Sequence, residues 1–189
     1  MKLVLASHNA HKARELTRLL PGWEVEPYAG ELPEETGETF RENALLKARA
    51  VHAALGGVSW VLADDSGIEA EALGGRPGVR SARFAGEHAT DEQNLVKLLE
   101  ALSGSDDRRV AYVAELVAIA PDGRELHARG ELRGTLADGP RGSGGFGYDP
   151  AFVPEGEQRT VGEMSAGEKD AISHRARAAR ALAQLLPAS

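Results

Sequence analysis

The sequence contains no cysteine, so neither a disulfide nor a thiolate-bound metal can form. A lack of cysteine suits a reducing compartment, and we expect a cytoplasmic location. The most apolar longer stretch, residues 110–120, includes Glu115 and falls well short of the roughly 20 residues that a membrane span needs. The apolar run at the start is too short for a signal peptide. We therefore expect neither a membrane partner nor a targeting segment.

Basic residues are in deficit, with 22 lysines and arginines against 29 acidic residues and a net charge of −7. A polyanion such as duplex DNA is a poor partner for such a chain, so we expect no nucleic-acid binding. A small anionic substrate stays possible, because local charge can oppose net charge. The length of 189 residues suits a single domain over 1–189.

Hydrophobic periodicity predicts helices and strands that alternate early in the chain, with a long hairpin in the middle. A mixed α/β sheet flanked by helices follows from this order. T-x-x-E at Thr39 and T-x-x-Q at Thr90 predict capped helix starts. The predicted strands are 2–6, 23–28, 58–63, 108–120 and 124–136, and the predicted helices begin near 10, 40 and 90, with a last one ending at 186.

The stretch SHNAHK, residues 7–12, lies between a predicted strand and a helix N-terminus. Free N–H groups and the helix dipole make such a turn suitable for an anion, and Lys12 adds a full charge. The alternative is a plain cap, with Asn9 capping the helix and Lys12 in solvent.

The stretch DDSG, residues 64–67, follows an apolar strand. Ligands bind at the carboxyl ends of strands in open α/β sheets. Paired carboxylates there hold divalent cations, and one of them can act as a base toward water. The alternative is a turn formed by Asp and Ser.

An acidic segment, ELPEETGE, could add an oxygen ligand to a cation at Asp65, through Glu34 or Glu35. A solvated acidic loop is the alternative. A glycine-rich segment, residues 142–150, holds Phe146 and Tyr148, either of which could stack on a flat ring.

The C-terminal segment contains Lys169, His174 and Arg175. We expect a break near Gly167 and a helix capped by Ser173, which puts His174 and Arg175 in its first turn. Cations are unfavourable there, and such a misfit suggests a function. The alternative is a basic, solvated helix face.

Taken together, these motifs suit a nucleoside triphosphate and a divalent cation, and over nearly the whole chain the sequence resembles the inosine triphosphate pyrophosphatases. The matching motifs are S-x-N-x-x-K at 7–12, E-T-G-x-T-F-x-E-N-A at 35–44, D-D-S-G at 64–67, L-G-G-x-P-G at 73–78, F-G-Y-D-P at 146–150 and E-K-x-x-I-S-H-R at 168–175. His8 is a departure, because the family often has glycine at that position.

The resemblance implies an elongated α/β fold with a long central mixed sheet, a cleft between two lobes, and a homodimer. It implies Mg²⁺-dependent hydrolysis of ITP, dITP or XTP to the monophosphate and pyrophosphate. Asp65 is the implied general base and a metal ligand, and Glu34 matches the other metal position. The implied substrate-binding residues are Ser7, His8, Asn9, Ala10, His11, Lys12, Ser66, Phe146, Gly147, Tyr148, Asp149, Lys169, His174 and Arg175.

Two alternatives to this function stay open. A related nucleotide pyrophosphatase could prefer another base, and a non-catalytic nucleotide sensor could share the scaffold. The retained acidic residues Asp64, Asp65, Glu34 and Glu35 argue against a sensor.

Overall fold

The structure is a computed structural model that describes residues 1–187. Its strands are β1 (Lys2–Leu5), β2 (Glu24–Pro27), β3 (Trp60–Ala70), β4 (Arg109–Ile119), β5 (Glu125–Leu136) and β6 (Phe152–Pro154). Its helices are α1 (Ala10–Leu19), α2 (Phe40–Ala54), α3 (Asp91–Ala101), α4 (Ala166–Ile172) and α5 (His174–Ala183). Short 3₁₀ turns cover Glu71–Leu73, Gly78–Arg83 and Val161–Glu163.

The strands form a six-stranded sheet in the order β2-β1-β3-β4-β5-β6. Strand β1 is parallel to both β2 and β3, whereas β5 and β6 are antiparallel. Strands β4 and β5 are neighbours joined by a tight turn, in which the Gly123 N–H donates to the Ala120 carbonyl at 2.9 Å. The predicted mixed α/β sheet with a central hairpin is therefore confirmed.

The chain forms two compact units, and β3, β4 and β5 each contribute to both. The first unit comprises Met1–Asp65, Ala114–Gly130 and the chain from His174 onward. The second unit comprises Ser66–Val113 and Glu131–Ser173.

The first unit packs helices on both faces of its strands, because side chains alternate along each strand. Leu3, Leu5 and Leu62 join a core built with helices α1 and α5. Val61 and Ala63 point to the opposite face and join a core built with α2. A side chain's position in β3 therefore determines which helices it meets.

The second unit has its own core beneath helix α3. Leu95 and Leu98 of that helix are buried with Ile68 of β3. Tyr112 of β4 stacks on Phe152 of β6, with ring centroids 4.3 Å apart. This core supports the glycine-rich loop that precedes β6.

The capping signals were correct, whereas two predicted boundaries were not. Thr39 and Thr90 form complete capping boxes. Strand β3 continues to Ala70, past its predicted end at 63, although β1 pairs with it only as far as Leu62. Gly167 lies inside α4, and the helical break falls at Ser173, whose backbone is extended. A helix can include a glycine when a neighbouring capping box, here that of Ser165, offsets the destabilisation that the glycine causes.

Within residues 1–187, every helix is too short or too polar to cross a membrane.

Gly130 of β5 allows α5 to approach closely. A Cβ built on it would lie 2.0 Å from the His174 carbonyl oxygen and 2.5 Å from the Ala178 nitrogen. Since both obstacles are backbone, we expect Gly130→Ala to destabilise the fold by about 1–3 kcal/mol. Urea unfolding measures this loss.

Gly139→Ala is the matched control, because a Cβ at Gly139 would meet nothing within 4 Å and its backbone is not left-handed. Equal unfolding midpoints for the two variants would contradict the close approach of α5 to β5.

Candidate active site

The predicted anion turn begins helix α1. The Asn9 side chain accepts from the N–H groups of His11 and Lys12 at 2.9 and 3.2 Å, so Asn9 is the helix cap. The His8 ring contacts the Gly30 carbonyl at 2.9 Å. Lys12 does not extend into solvent, because its side chain is only 14% exposed and its ammonium lies 2.5 Å from Asp64 Oδ1.

The neighbouring aspartates point to opposite faces of the sheet. Asp64 shares the face of Leu62, on the side of α1 and α5, and Asp65 shares the face of Ala63, on the side of α2. The closest cations to Asp64 are therefore Lys12 and Arg175, whereas the closest cation to Asp65 is Lys47.

Asp64 lies in a buried network of charges. Arg175, at the start of α5, is 1% exposed, and its Nε donates to Asp64 Oδ2 at 2.8 Å. Its Nη1 donates to Glu15 of α1. Burial pushes the pKa of the Asp64 carboxyl upward, but Arg175 and Lys12 outweigh burial and hold that pKa well below its usual range. Asp64 is therefore a fixed anion that orients Lys12.

Asp65 has a different partner, Lys47 of α2. The Lys47 ammonium contacts Glu35 Oε1 at 2.6 Å, the Asp64 carbonyl at 2.9 Å and Asp65 Oδ1 at 3.2 Å. Burial lowers the pKa of Lys47, but Asp65 and Glu35 outweigh burial and raise it overall. Burial raises the pKa of Asp65 despite the attraction of Lys47. A carboxyl with a raised pKa is better suited to accept a proton than an ordinary one.

One carboxylate oxygen of Asp65 is left for a ligand. Asp65 Oδ2 is buried and has no hydrogen-bond partner within residues 1–187. Glu35 is linked to Asp65 through Lys47, whereas Glu34 is exposed. The described part of the chain contains no group of three or more His, Asp or Glu side chains that could hold a metal. Mg²⁺ commonly takes one or two carboxylates and completes its shell with water and phosphate oxygens.

The second unit holds several predicted substrate residues around Asp149. Asp149 Oδ2 accepts from the Lys169 ammonium at 2.8 Å and from the Phe146 N–H at 2.9 Å. The Tyr112 hydroxyl donates to Asp149 Oδ1 at 3.1 Å. The Lys169 ammonium lies 4.6 Å from the centroid of the half-buried Phe146 ring.

Of the two aromatic candidates, Phe146 keeps the exposure that stacking needs. Tyr148 is 5% exposed and its hydroxyl donates to the Ser81 carbonyl at 2.7 Å, so this side chain supports the loop. Burial raises the pKa of the Tyr148 hydroxyl well above its usual range, so it stays a hydrogen-bond donor.

The structure brings together Lys12, Asp64 and Arg175 in the first unit and Phe146 and Lys169 in the second. The other predicted residues have the following placement: Ser7 and His174 are buried, Ser66 is partly buried in β3, Gly147 is partly buried, and Ala10 and His11 belong to the first turn of α1.

Sequence reasoning missed Glu15 and Lys47. A signal for Lys47 existed, because it lies three residues after Ala44 and four before Val51 on the apolar stripe of α2. Glu15 lies likewise four residues before Leu19 on α1. A charge on an apolar helical stripe predicts a buried ion pair.

These features define a mixed α/β protein with a lysine- and aspartate-lined site at a helix N-terminus. Residues 3–185 match the sequence profile of the Ham1 family. The chain belongs to the Ham1 family, in agreement with the resemblance inferred from its motifs.

Named relatives and solved structures support this assignment. A dITP/XTP pyrophosphatase of Deinococcus deserti is 50% identical over 184 residues, which cover 96% of this chain and 87% of the relative. One of Exiguobacterium is 46% identical, with 99% and 98% covered. The Ham1 protein of Staphylococcus aureus aligns with a TM-score of 0.87 at 39% identity, covering 98% of this chain and 97% of the other.

Arg175→Met should destabilise the protein at neutral pH by about 3–5 kcal/mol, because it leaves Glu15 and Asp64 buried without their guanidinium. Arg177→Met, on the exposed face of the same helix, is the matched control and should change stability little. Urea unfolding at neutral pH compares the two variants.

The loss of stability caused by Arg175→Met should depend on pH in a definite direction. Because the folded-state pKa of Asp64 is depressed, its pairing stabilises the fold above its ordinary pKa of about 3.9 and is lost as the pH falls further. In Arg175→Met the carboxyls can take up protons at higher pH. The stability gap to wild type should therefore narrow as the pH falls from about 7 to about 4. If the stability difference between Arg175→Met and wild type stayed constant with pH, lost packing and not unpaired charge would account for the destabilisation.

Proposed function

We propose that this chain hydrolyses dITP, XTP and ITP to the nucleoside monophosphate and pyrophosphate. The observation that supports this most directly is geometric: the buried Asp65 carboxylate contacts the buried ammonium of Lys47 at 3.2 Å through Oδ1, and its Oδ2 has no hydrogen-bond partner within residues 1–187. The named relatives are dITP/XTP pyrophosphatases.

The triphosphate would bind at the N-terminus of α1. The positive end of the helix dipole and the ammonium of Lys12 attract phosphate oxygens, whereas the N–H groups of His11 and Lys12 already donate to Asn9. Ser7, His8, Asn9, Ala10 and His11 form the rest of this turn. Asp64 and Arg175 contribute by holding Lys12 in place, since Lys12 pairs with Asp64 and Asp64 with Arg175.

Asp65 is the proposed general base. It takes a proton from a water molecule whose oxygen attacks the α-phosphorus. The bond from the α-phosphorus to the bridging oxygen breaks, and pyrophosphate leaves with the bonding electrons. Lys12 and the helix N-terminus stabilise the charge that develops on it.

Mg²⁺ is the proposed cofactor, held by Asp65 with Glu35 or the sequence-predicted Glu34. When bound, it would neutralise phosphate charge. The Oδ2 of Asp65, which has no hydrogen-bond partner within residues 1–187, supports this choice. The metal alone cannot decide base preference, so selectivity must come from elsewhere.

The loop around Phe146 is the proposed site of base recognition. The partly exposed Phe146 ring can stack on a purine. Lys169 can donate to O6 of hypoxanthine or xanthine, where adenine has an amino group, and a site that depends on such a bond rejects the wrong base strongly. Contacts of Ser66, Gly147, Tyr148, Asp149 and His174 with substrate stay predictions, as do the homodimer and the cytoplasmic location.

The test is pyrophosphate release from dITP, XTP, ITP, ATP, GTP and a pyrimidine triphosphate, with Mg²⁺ and with excess EDTA. We expect release from the first three that EDTA abolishes. Release mainly from another nucleotide would favour a pyrophosphatase with a different base preference. Binding without release would favour the nucleotide sensor.

Asp65→Asn should lower turnover by a factor on the order of 10²–10⁴, because the amide cannot accept the proton. Asp106→Asn, an exposed acid-to-amide change in the other unit, is the control and should retain wild-type turnover. Calorimetry with dITP should show that Asp65→Asn still binds. Near-normal turnover in Asp65→Asn would exclude Asp65 as the base.

A further inference from the structure

Asp91, the first residue of α3, contacts the glycine-rich loop of the second unit. The Gly147 N–H donates to Asp91 Oδ2 at 2.8 Å. Gly147 has a left-handed backbone, with φ of 63°, a conformation that residues other than glycine rarely adopt. This conformation sets the direction of its N–H. None of the sequence motifs assigned a role to Asp91.

Helix capping does not account for this contact. Thr90 accepts from the Gln93 N–H, and the Gln93 side chain accepts from the Thr90 N–H, so a complete capping box already begins α3. A favourable interaction with the helix dipole would serve Asp91 and Glu92 alike, since both acids lie in the first turn. Contact with Gly147 distinguishes Asp91 from its neighbour.

The contact fixes the backbone on one side of Phe146. The Phe146 N–H donates to Asp149 Oδ2, and the N–H of the next residue, Gly147, donates to Asp91. Peptide groups are planar, so holding the group on each side of a residue restrains both its φ and its ψ. The direction of the Phe146 ring depends on these angles. The remaining bond across the turn, from the Asp149 N–H to the Phe146 carbonyl, is longer at 3.2 Å.

The same end of α3 also holds the segment on which Tyr148 rests. Asn94 accepts from the Ala85 N–H at 2.7 Å and donates to the Ala82 carbonyl at 3.0 Å. The Tyr148 hydroxyl donates to the carbonyl of Ser81, next to Ala82. Helix α3 therefore supports the loop directly at Gly147 and, through the segment that Asn94 holds, at Tyr148.

We propose that Asp91 is a positioning residue that orients Phe146 for stacking on the purine. This inference rests on the proposed function, because it assigns base recognition to the Phe146 loop. Asp91 itself does not contact the reacting atoms in this scheme. Its removal should weaken substrate binding more than it slows the chemical step.

The experiment compares Asp91→Ala, Asp91→Asn and the control Glu92→Ala with wild type. For Asp91→Ala we expect KM for dITP to rise about 10-fold while kcat changes less than about threefold, the scale of one lost charge-assisted hydrogen bond. The preference for dITP over dATP in kcat/KM should change less than about threefold, because both purines can stack on Phe146 and Lys169 is unchanged. Asp91→Asn keeps an acceptor oxygen and should recover most of the loss, and Glu92→Ala should match wild type.

Amide hydrogen exchange gives a readout that is independent of catalysis. The Gly147 amide should exchange about 10-fold faster in Asp91→Ala and at the wild-type rate in Glu92→Ala. Unchanged Gly147 exchange, or equal effects of the Ala substitutions at Asp91 and Glu92 on KM, would overturn the proposal. If wild type releases pyrophosphate from no nucleotide, the proposed function fails and base recognition fails with it. The Gly147 exchange rate then decides whether Asp91 anchors the loop.

Discussion

Two adjacent buried carboxylates in β3 impose the constraint on which the first unit depends. Asp64 is fully buried and Asp65 is 5% exposed, and a buried carboxylate needs a counter-charge. Because side chains alternate along a strand, the two carboxylates point to opposite faces, and each has its nearest cation on its own face. The helices on each face must therefore supply their own, which explains Arg175 on one side and Lys47 on the other.

Such pairs contribute little net stability, because the desolvation of both charges offsets their attraction. Their value lies in fixed positions and altered pKa values. Asp64 is held ionised, whereas the pKa of Asp65 is raised. One strand thus presents a permanent anion next to a carboxyl that is suited to proton transfer. Asp149 follows the same rule in the second unit, where Lys169 offsets its charge.

Local signals in the sequence predicted most of the secondary structure. The capping boxes at Thr39 and Thr90 and the hairpin turn depend on contacts between near neighbours, so a short window contains the information. The end of β3 was misplaced because Asp64 and Asp65 look like a turn. The strand continues beside β4 although its pairing with β1 ends at Leu62. The break near Gly167 was misplaced because the Ser165 capping box compensates for the glycine.

By itself the sequence determined the family, the order of helices and strands and many of the charged residues of the candidate site, but not Glu15 and Lys47. Tertiary structure decided which of those residues meet. Arg175 and Glu15 are 160 positions apart, and no periodicity links them. The choice of Glu35 over Glu34 as the partner of Lys47, and of Phe146 over Tyr148 as the more exposed ring, depends on packing directions. Those directions arise only when distant segments exclude water together, because the penalty for an unpaired buried charge then selects the partner.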